Sequence, residues 1–459
     1  MSVNKVPRRS ASTSSLEERI VKRRKIELPP LTAEDYKNGV VLAPMVRSGT
    51  MVTRLFALKY GANLVWGPEI VDKAILHSER RVDPATGVIS YVGQSQSKAM
   101  FTTHPVEKPY LIYQIGTADP ELAVQAAKTV MQDVAGIDLN CGCPKPFSTH
   151  AGMGAALLSN PDLLCSILVA LRAAMPPEIA VSAKIRLLPS QEDTLNLVER
   201  IVNTGITNLT VHCRTRNMRP RERALIGRMR EIVEFVEGMG KGISIIQNGD
   251  CLSFEDSKRI RKITGAHSTM IATAAEANPT CFSPTPLTDL ETTFVPSYIR
   301  VAKYLDAHWA VTKFCSAAFK GSHADGSKAE ASAIRKRIVS AKTYEDLDEL
   351  VGPWTGEKEF QEILEAIEMR DGRRPVFAEN ALSLSAETSL LENAHEQETS
   401  EAIKTPIHNL SPDPAILRAP LGPANTARMY IPALISGHDE PTPTPTPAEM
   451  HSPAPALAV

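Results

Sequence analysis

Eight short β-branched runs, each separated from the next by a helical stretch, constrain this chain more than any other feature. They fall at 40–43, 63–66, 110–115, 136–139, 180–185, 208–211, 243–247 and 268–272. Between them lie amphipathic segments such as 121–134, 195–202 and 228–236. Strand–helix alternation predicts parallel strands joined by right-handed crossovers. Eight such units in about 250 residues match a closed (β/α)8 TIM barrel. An open Rossmann sheet would need a Gly-x-Gly-x-x-Gly turn after its first strand. Here that strand runs into Pro44-Met45-Val46-Arg47-Ser48-Gly49 instead. The expected fold class is therefore α/β: a TIM barrel, a small C-terminal helical domain, and disordered termini.

The segment 1–35 is polar, Ser-rich and basic around Lys22-Arg23-Arg24-Lys25, and is expected to be disordered. The barrel is assigned to 36–295. Its insertion from His77 to His104 is long for a loop at the catalytic end, which suggests a lid or binding flap. The helical domain is assigned to 296–352. Between Tyr298 and Glu345 it holds nine Lys/Arg against four Asp/Glu, including Arg335-Lys336-Arg337, a plausible phosphate-contacting surface. In 353–459 a short helix, 358–369, is expected before order fades. Residues 405–459 carry 12 of the chain's 34 prolines and read as an extended tail.

Composition removes several classes. The net charge is −1, which excludes a globally basic nucleic-acid packer but leaves room for a local basic surface. Seven cysteines in 459 residues do not make a secreted disulfide scaffold. The expectation is a cytoplasmic protein, with the N-terminal basic cluster adding a nuclear-import reading. No apolar run reaches the ~18 residues that a membrane span needs.

In a barrel all C-terminal strand ends face one rim. That rim gathers Pro44 and Met45, Gln114, Asn140 through Lys145, Lys184 and Arg186, His212 and Arg214, Asn248-Gly249-Asp250, and Ala272-Thr273. Amides that donate and accept, a lysine, and backbone turns after the last two strands suit a planar, phosphate-bearing cofactor, and FMN is such a molecule. Cys141 and Cys143 form a CxC with no second pair at zinc spacing, so no metal is expected. One of the two could act as a general acid, since a thiol of pKa ~8.5 keeps its proton at neutral pH. Cys213 should point away from the mouth, because side chains alternate along a strand.

These residues resemble a known family. Leu42-Ala43-Pro44-Met45-Val46 with Gly49-Thr50, Asp138-Leu139-Asn140-Cys141-Gly142-Cys143-Pro144-Lys145, Gly152 to Leu158, Lys184-Ile185-Arg186, Val211-His212-Cys213-Arg214 and Asn248-Gly249-Asp250 are similar, in order, to the tRNA-dihydrouridine synthases. Asp193-Thr194-Leu195 and Pro146 to Thr149 point to the eukaryotic branch acting on uridine 20 of the tRNA D-loop. The resemblance implies FMN reduced by NADPH, hydride delivery to C6 of a flipped-out uracil, and protonation of C5 by Cys143. It implies that Pro44, Met45, Val46, Gln114, Lys184, His212, Asn248, Gly249, Asp250, Ala272 and Thr273 hold the flavin, and that Asn140, Arg186 and Arg214 face the substrate. It implies tRNA as the partner, with the basic helices from Tyr298 resembling the family's helical tRNA-recognition domain, so that 296–352 is expected to recognise the tRNA; no membrane, no metal and a monomer are expected. Thr273 stands where the family often has Arg, and Cys213 where it usually has Gly. Two other readings fit the barrel: a small-molecule reductase of the dihydroorotate dehydrogenase kind, and a non-catalytic RNA-binding relative.

Overall fold

The computed structural model describes residues 28–93, 98–219, 221–323 and 328–375, all within the first of two units, Met1–Thr388. The basic cluster at Lys22–Lys25 and the Pro-rich tail lie outside the described residues.

All eight expected strands form, and they close. Chain order gives β1 (Val40–Leu42), β2 (Val65–Trp66), β3 (Ile70–Val71), β4 (Ser78–Val82), β5 (Ile89–Gly93), β6 (Ala99–Thr103), β7 (Leu111–Gly116), β8 (Gly136–Cys141), β9 (Ala180–Leu187), β10 (Asn208–Thr215), β11 (Ser244–Asn248) and β12 (Ser268–Ile271). The barrel runs β2-β1-β12-β11-β10-β9-β8-β7, and a β2–β7 pairing seals it. Every pairing around it is parallel, from Val40 opposite Thr269 to Val65 opposite Leu111. Strands buried on both faces need apolar residues at nearly every position, which is why β7 and β8 are buried throughout. The crossover helices start where the sequence supplies a cap. Asp119 accepts from the N–H of Glu121 and Leu122, Asn160 from Leu163, Ser190 from Asp193, and Ser253 from Asp256.

The His77–His104 insertion is not a lid. β4, β5 and β6 make a three-stranded antiparallel sheet that packs on the barrel's outer wall. Phe101 sets its ring edge-on against Tyr113, 4.9 Å between centroids. Tyr113 points outward because its neighbour Gln114 points in. Arg80 and Tyr91 both bond Asp133, in the turn that leads into β8 at the opposite end from the mouth. The sheet thus occupies the layer where a crossover helix would otherwise sit.

The helical part is fastened to the barrel by aromatic packing. Phe56 meets Phe294 at 4.9 Å, Tyr298 meets Phe319 at 4.9 Å, and the Tyr298 hydroxyl lies 2.9 Å from Thr53 Oγ1. The helix expected over 358–369 forms as Gly356–Glu368 and packs against helices Val295–Tyr304 and Met51–Lys59. It buries Phe360, Ile363, Leu364 and Ile367. At about 1.5–3 kcal/mol for each side chain, that is roughly 6–12 kcal/mol of gross burial before entropy, enough to hold three turns in place. Beyond it Arg370 donates to the carbonyls of Leu58 and Ala62, and Arg373 to Asp35 and the Pro29 carbonyl. Residues 28–35, expected to be disordered, are therefore tied down, with Leu31 buried.

The expected basic surface at Arg335–Arg337 is only partly one. Arg335 pairs with Glu291, a carboxylate just 2% exposed, and Arg337 pairs with Glu349. Lys336 remains exposed. No helix among the described residues is long and apolar enough to cross a membrane.

Candidate active site

The strand ends bring the expected residues to one mouth in three linked groups. The first is a buried amide chain below it. Ser182 Oγ and Gln114 Nε2 donate to Asp138 at 2.6 and 2.8 Å. Asn140 Nδ2 donates to Gln114 Oε1 at 3.3 Å. Both polar ends of Gln114 are thereby engaged, and its amide plane is fixed. Burial pushes the Asp138 carboxyl up to about 6, although the bonds from Ser182 and Gln114 oppose that rise.

The second group carries the cysteine. Asn140 Oδ1 accepts from the N–H of Gly142 at 2.9 Å and of Cys143 at 3.0 Å, so one side chain shapes the turn after β8. Arg186 Nε donates to the Gly142 carbonyl at 2.7 Å, and another of its nitrogens to the Thr215 carbonyl at 3.1 Å. Arg186, expected at the substrate, here braces the β8 turn against the end of β10. Cys141 is fully buried, whereas Cys143 is half-buried at the mouth. Burial first, and then the Glu69 carboxylate, raise the Cys143 thiol above its ordinary range. Cys143 contributes in turn to the field at Lys184 and Arg186.

The third group is cationic. Lys184 Nζ donates to Asn248 Oδ1 at 2.9 Å, and Asn248 Nδ2 donates to the Met270 carbonyl at 2.9 Å. Burial, then Arg186, lowers the Lys184 ammonium to about 8. Arg214 donates to His212 Nε2 at 3.2 Å, to the Glu222 carbonyl at 2.7 Å, and to Asp250. A guanidinium only donates, so His212 Nε2 accepts and the ring is neutral, with its proton on Nδ1. Burial, followed by Lys184, Arg186 and Arg214, drives its pKa far below the ordinary value. The Asn248-Gly249-Asp250 turn passes through φ of +115° at Gly249 and +59° at Asp250. A Cβ on Gly249 would come within 3.0 Å of Ala224 and 3.3 Å of His212. Glycine therefore lets the backbone close up beside the imidazole.

The remaining expected residues border the same mouth less tightly. Pro44 and Met45 are half-buried and Val46 is exposed. Gly49 donates to the Met45 carbonyl at 2.8 Å, which curls this loop. Ala272 is half-buried and Thr273 exposed, at the end of β12. Cys213 faces the outer layer as expected, its sulfur 3.9 Å from that of Met229.

The donor set fits a flavin. Among the described residues Lys184 has one acceptor for three N–H bonds, His212 keeps a free N–H, and Gly249 leaves room for close backbone approach. No group of three or more His, Cys, Asp or Glu among the described residues is placed to hold a metal ion.

Two features escape the sequence argument. Glu69, just beyond β2, faces Cys143, Ser148 and Asn140. Its one signal in the sequence is a carboxylate three residues past a very short strand end. The loop after β10 carries Arg216, Arg219, Arg221 and Arg223, all exposed and, among the described residues, without an ion-pair partner. Four arginines within eight residues are visible in the sequence as a charge cluster.

A parallel barrel with a thiol, a lysine and a neutral histidine at its mouth defines a class of cofactor-dependent barrel oxidoreductases. Comparison with known proteins narrows this. The dihydrouridine synthase family matches residues 41–324, and the chain belongs to that family. It is 48% identical over 320 residues to a Schizosaccharomyces pombe tRNA-dihydrouridine(20) synthase [NAD(P)+], covering 68% of this chain and 64% of that one. It is 43% identical over 297 residues to the Saccharomyces cerevisiae protein of the same name, covering 61% and 76%. A human tRNA-dihydrouridine(20a/20b) synthase [NAD(P)+]-like protein is 32% identical over 244 residues, covering 53% and 70%. The matched region thus spans just under two thirds of the S. pombe relative's length.

Proposed function

We propose that this chain reduces the C5–C6 bond of uridine 20 in the tRNA D-loop to dihydrouridine, with FMN as resident cofactor and NADPH as reductant. The observation that carries this is the half-buried Cys143 thiol sharing a pocket with Lys184 and Arg186. The relatives' names agree with it.

When bound and reduced, FMN supplies the hydride that ends on C6. The chain's own residues do the rest. Pro44, Met45 and Val46 would border the ring, Gln114, Lys184 and His212 would meet its polar edges, and the Asn248–Asp250 turn with Ala272 and Thr273 would take ribityl and phosphate. Lys184, still largely an ammonium at pH 7, stabilises negative charge on the ring. Cys143 gives its proton to C5; its raised pKa keeps that proton in place until the carbon becomes basic. Asn140 holds the Cys143 turn, while Arg186 and Arg214 keep the mouth cationic toward the base and adjacent phosphates. Flipping the uridine out of its stack costs a few kcal/mol, which phosphate contacts offset. We assign those contacts to the arginine loop 216–223 and to exposed Lys336, with catalysis in 36–295 and the helices after 296 buttressing the barrel.

The test is Cys143→Ala. The variant should purify yellow, with wild-type flavin content, and form no dihydrouridine in unmodified tRNA. Wild-type turnover would remove Cys143 from the reaction.

A further inference from the structure

Cys143 sits among cations. Lys145 follows it, and Lys184 and Arg186 project from β9 beside it. Positive charge near a thiol favours the thiolate, and a thiolate has no proton to give. A general acid in this position needs a negative counterweight.

The fold supplies one. β2 ends at Trp66, and Gly67-Pro68 lead directly to Glu69. The next two residues, Ile70 and Val71, pair with Ile115 and Gly116 at the end of β7, which pins the Glu69 backbone to the rim. Gly116 has no side chain where the carboxyl lies: a Cβ there would be 2.6 Å from Glu69 Oε1. On the other side Gly154, at φ +59°, lets the Cys143 turn close over Ser148. A Cβ at Gly154 would sit 2.3 Å from Ser148 Oγ and 3.1 Å from Cys143 Cβ. The Ala155 N–H donates to the Cys143 carbonyl at 2.9 Å. The Glu69 carboxyl thus faces Cys143, Ser148 and Asn140, and Glu69 Oε1 and Ser148 Oγ are both buried without a hydrogen-bond partner among the described residues, which leaves Oε1 open to accept.

We propose that Glu69 is a positioning residue acting through Cys143, accepting from the thiol and holding it protonated and aimed at the substrate carbon. Two acids share one pocket. The carboxyl is the stronger and ionises first, and its charge then opposes loss of the thiol proton. Burial raises both groups, and the Glu69 charge is the largest contribution after burial to the rise at Cys143. The charged side chains facing the thiol are Glu69 from the β2 end and Lys184 and Arg186 from β9, while Lys145 in the β8 turn reaches it through its backbone N–H and its ammonium acts on Glu69. Glu69 is the one anion among them, so it decides the balance.

This inference rests on the reading of Cys143 as the proton donor, and its test is separable from that reading. The rate of Cys143 alkylation by iodoacetamide is measured against pH by mass spectrometry, on the flavin-bearing protein carrying Cys165→Ser to remove the other half-buried thiol. Glu69→Gln should move the midpoint down by about one pH unit, making alkylation at pH 7 about tenfold faster. Glu69→Asp, which keeps the charge but withdraws it by one methylene, should move it less in the same direction, and it serves if the glutamine variant fails to fold. Midpoints at the wild-type value in the folded variants would overturn the role of Glu69. Wild-type turnover by Cys143→Ala would overturn the proton-donor reading while leaving the alkylation shift intact.

Discussion

His212 offers the sharpest test of the electrostatics at the mouth. Its ring is held neutral by burial and by three surrounding cations, with a folded pKa of about 2 against 6.5 for a free imidazole. A base whose pKa falls on folding binds fewer protons in the native state, so stability drops as pH falls below the unfolded value. Between pH 7 and pH 5 the unfolded imidazole becomes almost fully charged while the folded one stays neutral. The difference is about 1.5 pH units of proton binding, or about 2 kcal/mol at about 1.4 kcal/mol per unit. His212→Gln keeps a donor and an acceptor but cannot titrate. Urea unfolding of wild type and variant, followed by circular dichroism at pH 7 and pH 5, isolates the contribution. Asp138 and Glu69, whose raised pKa values act in the opposite direction, are present in both proteins and cancel in the comparison. The variant should gain about 2 kcal/mol relative to wild type on acidification. An equal stability gap at the two pH values would show that the imidazole is not held neutral, and the assigned tautomer would fall with it.

Three further outcomes follow from the geometry. Replacing Arg216, Arg219, Arg221 and Arg223 with Gln should weaken tRNA binding and lower the slope of log affinity against log salt by roughly 3, read by filter binding across a salt series; an unchanged slope would take this loop out of the RNA contact. Arg335→Ala should lower stability by about 1–2 kcal/mol in urea melts, because the buried Glu291 would keep only the Gly321 N–H and His323 beside it, while leaving the salt slope unmoved. Gly249→Ala should cost about 1–3 kcal/mol of backbone strain and loosen flavin, seen as a lower flavin-to-protein ratio on purification, since φ of +115° and the 3.0 Å approach to Ala224 leave no room for a methyl.

The barrel strands are legible in the sequence because a strand buried on both faces is rich in apolar residues, as β7 is apart from Gln114, while β8 is buried throughout yet carries Asp138 and Asn140 on its mouth-facing side. Their C-terminal ends are less so. β10 continues to Thr215 rather than stopping at 211, because His212 stays in the ladder opposite Arg186 and a bulge that carries Arg214 brings Thr215 opposite Leu187. Loop length shows that His77–His104 is an insertion but not which layer it joins. The alternation of buried Ile89 and Tyr91 with half-buried neighbours was the available sign of a sheet lying on a wall. Glu69 is hard to find because β2 is only two residues long, so its rim position barely registers as a strand end. Arg335 is misread for a different reason. A count of charges along a helix cannot see that Glu291, forty-four residues upstream, lies buried beneath it.

The charge distribution separates the RNA reading from the small-molecule one. The whole chain is close to neutral, so a cationic mouth is a local feature rather than part of a general positive charge. Lys184, Arg186 and Arg214 repel one another at partly buried positions; among the described residues Arg214 has an ion pair, with Asp250, and Lys184 feels the Asp138 carboxylate at a distance. Lys184 receives an amide oxygen instead, and Arg186 receives two backbone carbonyls. An anionic, ring-bearing ligand against Lys184 would relieve that repulsion, which fits the flavin of either reading. The exposed arginines 216–223 lie outside such a pocket and contribute nothing to a small substrate enclosed within it. Under the proposed function, these four exposed guanidinium groups, without an ion-pair partner among the described residues, suit a substrate whose phosphates extend beyond the reacting base, as those of a folded RNA do.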